Sequence, residues 1–278
     1  MLLGPSLKLS PEAVAKLPFE FLPDIRLQEC PKWVKEQTSW SSESKEKFVR
    51  ETRFALVANY KSASPQDKTT DELMSRAVIA IWLASPTNIQ WRLSVHGKSD
   101  GSKMTRNMWN TRPYMRPHRR YQHSPVGAPA LDEAKVLLEK FAGMTEGAVW
   151  IAIKTLYMAL QQEWWEGRFL LFWVALEALF APDSEVSFRV SLRIARLLRG
   201  DSKKAKTLFK RIRGSYSIRS KVAHGQALKS VEGTYSGRVL LHSELLLRAS
   251  IRKILSSPEA LAACQTKRRN EYLDSLCL

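Results

Sequence analysis

An arginine and a histidine five residues apart stand in the run Arg219-Ser220-Lys221-Val222-Ala223-His224-Gly225, and their types and spacing suit chemistry. A guanidinium keeps its charge at any physiological pH, and an imidazole exchanges a proton near neutrality. One group can hold a phosphate while the other moves a proton, which suffices for metal-free phosphoryl transfer on RNA. The spacing alone is common, so the elements around it must carry the reading.

Residues 167–180 form the helix expected at the centre of a bundle, because Phe169, Phe172, Trp173, Leu176, Leu179 and Phe180 cover much of its circumference. Glu177 interrupts that apolar surface, and a carboxylate there requires a cation. Arg189 and Arg193 on the following helix would make a structural pair with it, and Arg219 a functional one. A short helix over 218–224, capped by Ser217 and ended by Gly225, places Ile218 and Val222 toward the core. Five residues turn a helix by about 140° net, so Arg219 and His224 do not share one stripe. Either the arginine folds back or a second chain completes the site. Upstream, a separate helix over 203–213 presents Lys203, Lys204, Lys206, Lys210, Arg211 and Arg213 around a stripe of Leu208, Phe209 and Ile212. Such a face suits a phosphate backbone. Lys210, Arg211, Arg213, Tyr216 and Lys221 are the candidate RNA contacts.

Three segments in this order carry a family resemblance: Phe172-Trp173-Val174-Ala175-Leu176-Glu177-Ala178-Leu179-Phe180, then Phe188-Arg189, then Tyr216 to Gly225. Together they resemble the HEPN superfamily, most of all its Apea-like branch, over roughly residues 167–255. The resemblance implies an all-α, HEPN-type helical bundle, a homodimer, and a metal-independent endoribonuclease without a cofactor. It also implies a place in prokaryotic anti-phage defence or a toxin system, with an antitoxin or defence-system protein as partner. Arg219 and His224 match the catalytic motif, Glu177 the helix-borne acid and Arg189 the arginine of the next helix. Cleavage would then proceed by attack of the RNA 2'-OH, leaving 2',3'-cyclic phosphates. Ser220 stands where many active members carry Asn, Asp or His, and the alternative is a non-catalytic module that binds RNA or protein.

The rest of the chain frames this expectation. Forty-four Lys and Arg against 27 Asp and Glu give a formal charge of +17, which favours polyanionic partners. Cys30, Cys264 and Cys277 form no disulfide framework or metal knuckle, and a reducing cytoplasm is expected. No apolar run reaches the roughly 20 residues of a membrane span. HExxH, Walker A and GxGxxG patterns are missing, and His96, His118, His123 and His242 have no partner at useful spacing. We expect a mainly helical region over 1–130, with helices over 42–59 and 71–83 and one extended segment over 88–95. A basic, proline-punctuated loop over 97–129 carries Lys103, Arg106, Arg112, Arg116, Arg119 and Arg120 among Trp109, Tyr114 and Tyr121, a pattern suited to single-stranded RNA. The bundle occupies 131–278, with further helices over 131–142, 148–163, 186–198 and 235–255.

Overall fold

A computed structural model describes residues 1–37, 40, 42–58, 68–91, 93–97, 104–109, 114–115, 118–121, 123–182, 184–226 and 234–278. The chain is mostly helical and divides into two compact units, Met1–Ala142 and Gly143–Leu278. The boundary expected at 130/131 compares with 142/143 here, because the helix over Ala128–Phe141 packs with elements of the first unit.

That first unit is where an all-α fold fails. In chain order it holds β1 (Leu2–Leu3), α1 (Pro11–Ala15), β2 (Phe19–Leu22), β3 (Ile25–Glu29), α2 (Lys32–Lys35), α3 (Glu43–Glu51) and β4 (Phe54–Ala58). Next come α4 (Lys68–Ala84), β5 (Ile89–Gln90), β6 (Leu93–Gly97), β7 (Met104–Trp109), β8 (Tyr114–Met115) and α5 (Ala128–Phe141). An antiparallel six-stranded sheet runs β2-β3-β4-β1-β6-β7, and β5 pairs with β8 separately. Residues 42–59, expected as one helix, are split. Helix α3 is capped by Ser42, whose hydroxyl accepts from the Lys45 N–H, and ends at Thr52. The apolar run of β4 then lies between β3 and β1, and a central strand buried on both faces does not alternate. Ile25 and Leu27 of β3 are buried while Arg26 between them is exposed. Leu2, Ala55 and Leu93 share a core with Val34, Phe48 and Val49.

The second unit is helical throughout its described residues: α6 (Ala148–Leu160), α7 (Trp165–Phe180), α8 (Val186–Arg199), α9 (Lys203–Ala223), α10 (Thr234–Ser256), α11 (Pro258–Cys264) and α12 (Arg269–Ser275). Helix α7 packs against α6, α8, α9 and α10, and all six of its expected core residues are buried. Burying each such side chain contributes about 1.5–3 kcal/mol. Its C-terminal carbonyls are answered by cations: Arg193 donates to Phe180 O at 2.9 Å and Arg269 to Ala178 O at 2.6 Å. Positive charge is favoured at that end of a helix. Near its N-terminus, Arg168 pairs with Glu244 of α10 at 2.9 Å, both shut off from solvent.

Helix α9 also corrects the sequence reading. The two helices expected at 203–213 and 218–224 are one 21-residue helix, running through Gly214. Its N-cap is Ser202, whose hydroxyl accepts from the Ala205 N–H at 3.2 Å, and Ser217 lies inside the helix. Gly214 costs roughly 1 kcal/mol of helix propensity, but Ile212 and Ser215 beside it are buried and hold the helix on course.

Candidate functional site

The continuity of α9 decides where each candidate points. Arg219 lies on its inner side and donates from Nη2 to Glu177 Oε2 of α7 at 3.0 Å. Arg189 and Arg193, the other partners available to Glu177, instead grip Asp274 of α12, Arg193 at 2.7 Å. Arg189 is therefore drawn to α12, and its contact there is with Asp274 rather than Glu177. Tyr216 stands one turn before Arg219, whose guanidinium lies 5.6 Å from the phenol ring centre, and Trp173 of α7 meets the same ring edge-on at 5.1 Å.

Three buried polar atoms in this patch lack a hydrogen-bond partner among the described residues: Glu177 Oε1, Arg219 Nε and Trp173 Nε1. Buried polar groups ordinarily find partners, and each orphan costs about 1–3 kcal/mol. Similar atoms occur elsewhere in the fold, Trp82 Nε1 and Ser250 Oγ among them, and these three lie where α7 meets α9. The Tyr216 phenol is pushed above its ordinary value of 10.0, first by burial and then by the charge and hydrogen bonding of Glu177, against the opposing pull of Arg219. Arg219 and Glu177 keep 25% and 20% of their side chains exposed, so solvent reaches the pair from one side.

His224 is the C-cap of α9, and Gly225 at φ 64° reverses the chain behind it. The Gly225 N–H donates to Val222 O and the Gln226 N–H to Lys221 O, the doubly bonded helix end that favours glycine here. His224 is exposed, and its side chain has no hydrogen bond or ion pair among the described residues. Counting about 100° per residue from Lys203, Lys206, Arg213, Ser217 and His224 fall on one line. Lys203, Lys210, Gly214 and Lys221 fall on a second line beside it. All of these face solvent, as does Arg211. The six cations expected on residues 203–213 are thus exposed; Lys204 and Arg211 lie about 60–80° from Arg219, while His224 continues the line of Lys206 and Arg213, about 140° from Arg219. Ser220 is half-buried between the two.

In the basic loop expected over 97–129, Met104–Trp109 and Tyr114–Met115 are strands, and 119–121 is a 3-10 turn. Lys103, Arg112 and Arg116 lie outside the described residues. Among the described residues no cluster of His, Cys, Asp or Glu has the arrangement of a metal site, and no helix is long and apolar enough to cross a membrane.

Two features had no sequence signal. The Arg168–Glu244 pair joins residues 76 positions apart, and Asp274 lies on a seven-residue helix too short to show a period. No family model matches the chain, and neither a curated protein nor a solved structure does.

Proposed function

We propose that this protein is a metal-independent endoribonuclease of the HEPN type, acting in the cytoplasm in anti-phage defence or as a toxin restrained by a partner. The observation that supports it best is the Arg219–Glu177 pair at 3.0 Å, half-open to solvent. Glu177 is a positioning residue that holds the guanidinium against α7. Arg219 binds the scissile phosphate and stabilises the charge that builds on it. His224 takes the proton from the attacking 2'-OH or gives one to the departing 5'-oxygen. The 2'-oxygen forms a bond to phosphorus, the bond to the 5'-oxygen breaks, and a 2',3'-cyclic phosphate and a 5'-hydroxyl remain. The exposed cations Lys210, Arg211, Arg213 and Lys221 hold the RNA backbone, with Tyr216 beside them.

Because Arg219 faces inward and His224 outward on one helix, we place them in a homodimer in which each copy completes the other's site. Val174, 44% exposed on α7 one turn before Glu177, offers apolar surface for that contact. Labelled single-stranded RNA incubated with the protein in EDTA is expected to yield cyclic-phosphate ends, while 2'-deoxy RNA survives. Mixing Arg219→Ala with His224→Ala protein, each inactive alone, restores about a quarter of the activity through mixed dimers.

A second reading rests on the same ion pair: with its charge already met by Glu177, Arg219 belongs to a non-catalytic module that binds RNA or protein. It predicts salt-sensitive RNA binding and intact RNA in the same assay.

A further inference from the structure

We infer that the cavity of the first unit is a binding site for a small planar heterocycle with an anionic tail, of which a guanine mononucleotide is the type case. The cavity measures about 350 Å³ and is bounded by β1, β3, β4, β6, α2 and the first two turns of α4. That volume suits a small ligand held in a preformed cleft.

Three features of the lining set the ligand's chemistry. Asp71 contributes Oδ1, which is shut off from water and accepts no hydrogen bond among the described residues. A buried acceptor without a donor is a demand for one. The Met1 amine also lines the cavity and feels this carboxylate; it donates to Leu56 O at 2.9 Å and makes no hydrogen bond to Oδ1. Next, the half-buried Trp33 ring, Val57 and Val95 line the cavity, giving it aromatic and aliphatic walls against which a flat ring packs. Finally, Arg26 lies in the lining, exposed, with Nε bonded to Gln28 Oε1 at 2.9 Å and no carboxylate paired to it among the described residues. The β3–β4 register sets Arg26 opposite Val57 and Gln28 opposite Ala55, so these four share one sheet face.

An inner acceptor, an aromatic wall and an outer cation fit a base that offers N–H groups and carries a phosphate. Guanine presents two adjacent donors, N1–H and the 2-amino group, to a carboxylate. Uracil's single N–H is flanked by carbonyl oxygens that the carboxylate repels. A guanidinium suits the phosphate.

Titration calorimetry of the whole protein with GMP is expected to give saturable one-to-one binding in the micromolar range. Asp71→Asn weakens it at least tenfold, and Trp33→Ala weakens GMP and guanosine alike. Arg26→Ala, a change at an exposed residue, weakens GMP several-fold and leaves guanosine unaffected. UMP and inorganic phosphate do not compete. Arg219→Ala protein binds GMP normally, which separates this site from the proposed nuclease and leaves it standing if no cleavage is found. Absence of saturable GMP binding to folded protein at millimolar ligand overturns the inference. So does undiminished binding by folded Asp71→Asn and Arg26→Ala variants.

Discussion

Helix α7 carries an arginine–glutamate pair near each end, and the two are built for different purposes. At the N-terminal end Arg168 meets Glu244 with 9% and 1% of their side chains exposed, and Arg168 also lies over the Phe172 ring at 5.6 Å. At the C-terminal end Glu177 meets Arg219 with 20% and 25% exposed. Two charges sealed together in a core gain little over an apolar pair, but removing one leaves the other stranded. A pair open on one side gives up less when broken, and its guanidinium remains accessible to an anion. The same chemical pair thus serves as a fixed strut in one place and as a poised cation in the other.

The largest expected effect separates the two pairs. Glu244→Ala removes the buried carboxylate that meets Arg168 and is expected to cost about 3–5 kcal/mol, whereas Glu177→Ala, at a part-exposed pair, costs less, about 1–3 kcal/mol. Urea unfolding of both variants checks this, and equal losses would dissolve the distinction. A smaller effect tests the helix that delivers Arg219. An added Cβ at Gly214 meets nothing within 4 Å, so Gly214→Ala should stabilise the protein by about 0.5–1 kcal/mol. A loss of stability instead would mean that α9 is bent or broken there.

The smallest effect concerns a second contrast, between two histidines. His224 is exposed at the end of α9, while His242 is largely enclosed on α10 and sits below its ordinary 6.5, first through burial and then through the charge of Arg211. A depressed histidine leaves the folded state with fewer protons than the unfolded chain as pH falls through 6.5. Stability from His242 is therefore complete above that pH and declines below it. His242→Gln should flatten the acid side of the stability curve, read as melting temperature against pH, and an unchanged slope would remove His242 from this role.

The same contrast between regions governs how much the sequence revealed. Helices expected at 148–163, 167–180, 186–198 and 235–255 appear as Ala148–Leu160, Trp165–Phe180, Val186–Arg199 and Thr234–Ser256, because long amphipathic helices repeat their period several times. The expected strand over 88–95 proved to be β5 and β6, which belong to different sheets. The rest of the six-stranded sheet was illegible, since β1 has two residues and β2 four, too few for an alternation to declare itself. Glu177 was legible as an anomaly in an apolar helix. Its partner was not, because choosing Arg219 over Arg189 and Arg193 depends on Asp274, a residue whose place only tertiary packing assigns. The break expected between residues 213 and 218 did not occur, because Ile212 and Ser215 are buried and hold α9 across Gly214.

The most direct test is the rate of single-stranded RNA cleavage in EDTA by His224→Ala protein, measured alongside its melting temperature. An exposed imidazole at the end of α9 should be removable without loss of fold, while general acid–base chemistry should lose at least about 100-fold in rate. Unchanged melting with that loss is the predicted result. Cleavage at the unaltered rate by folded His224→Ala protein would contradict the account.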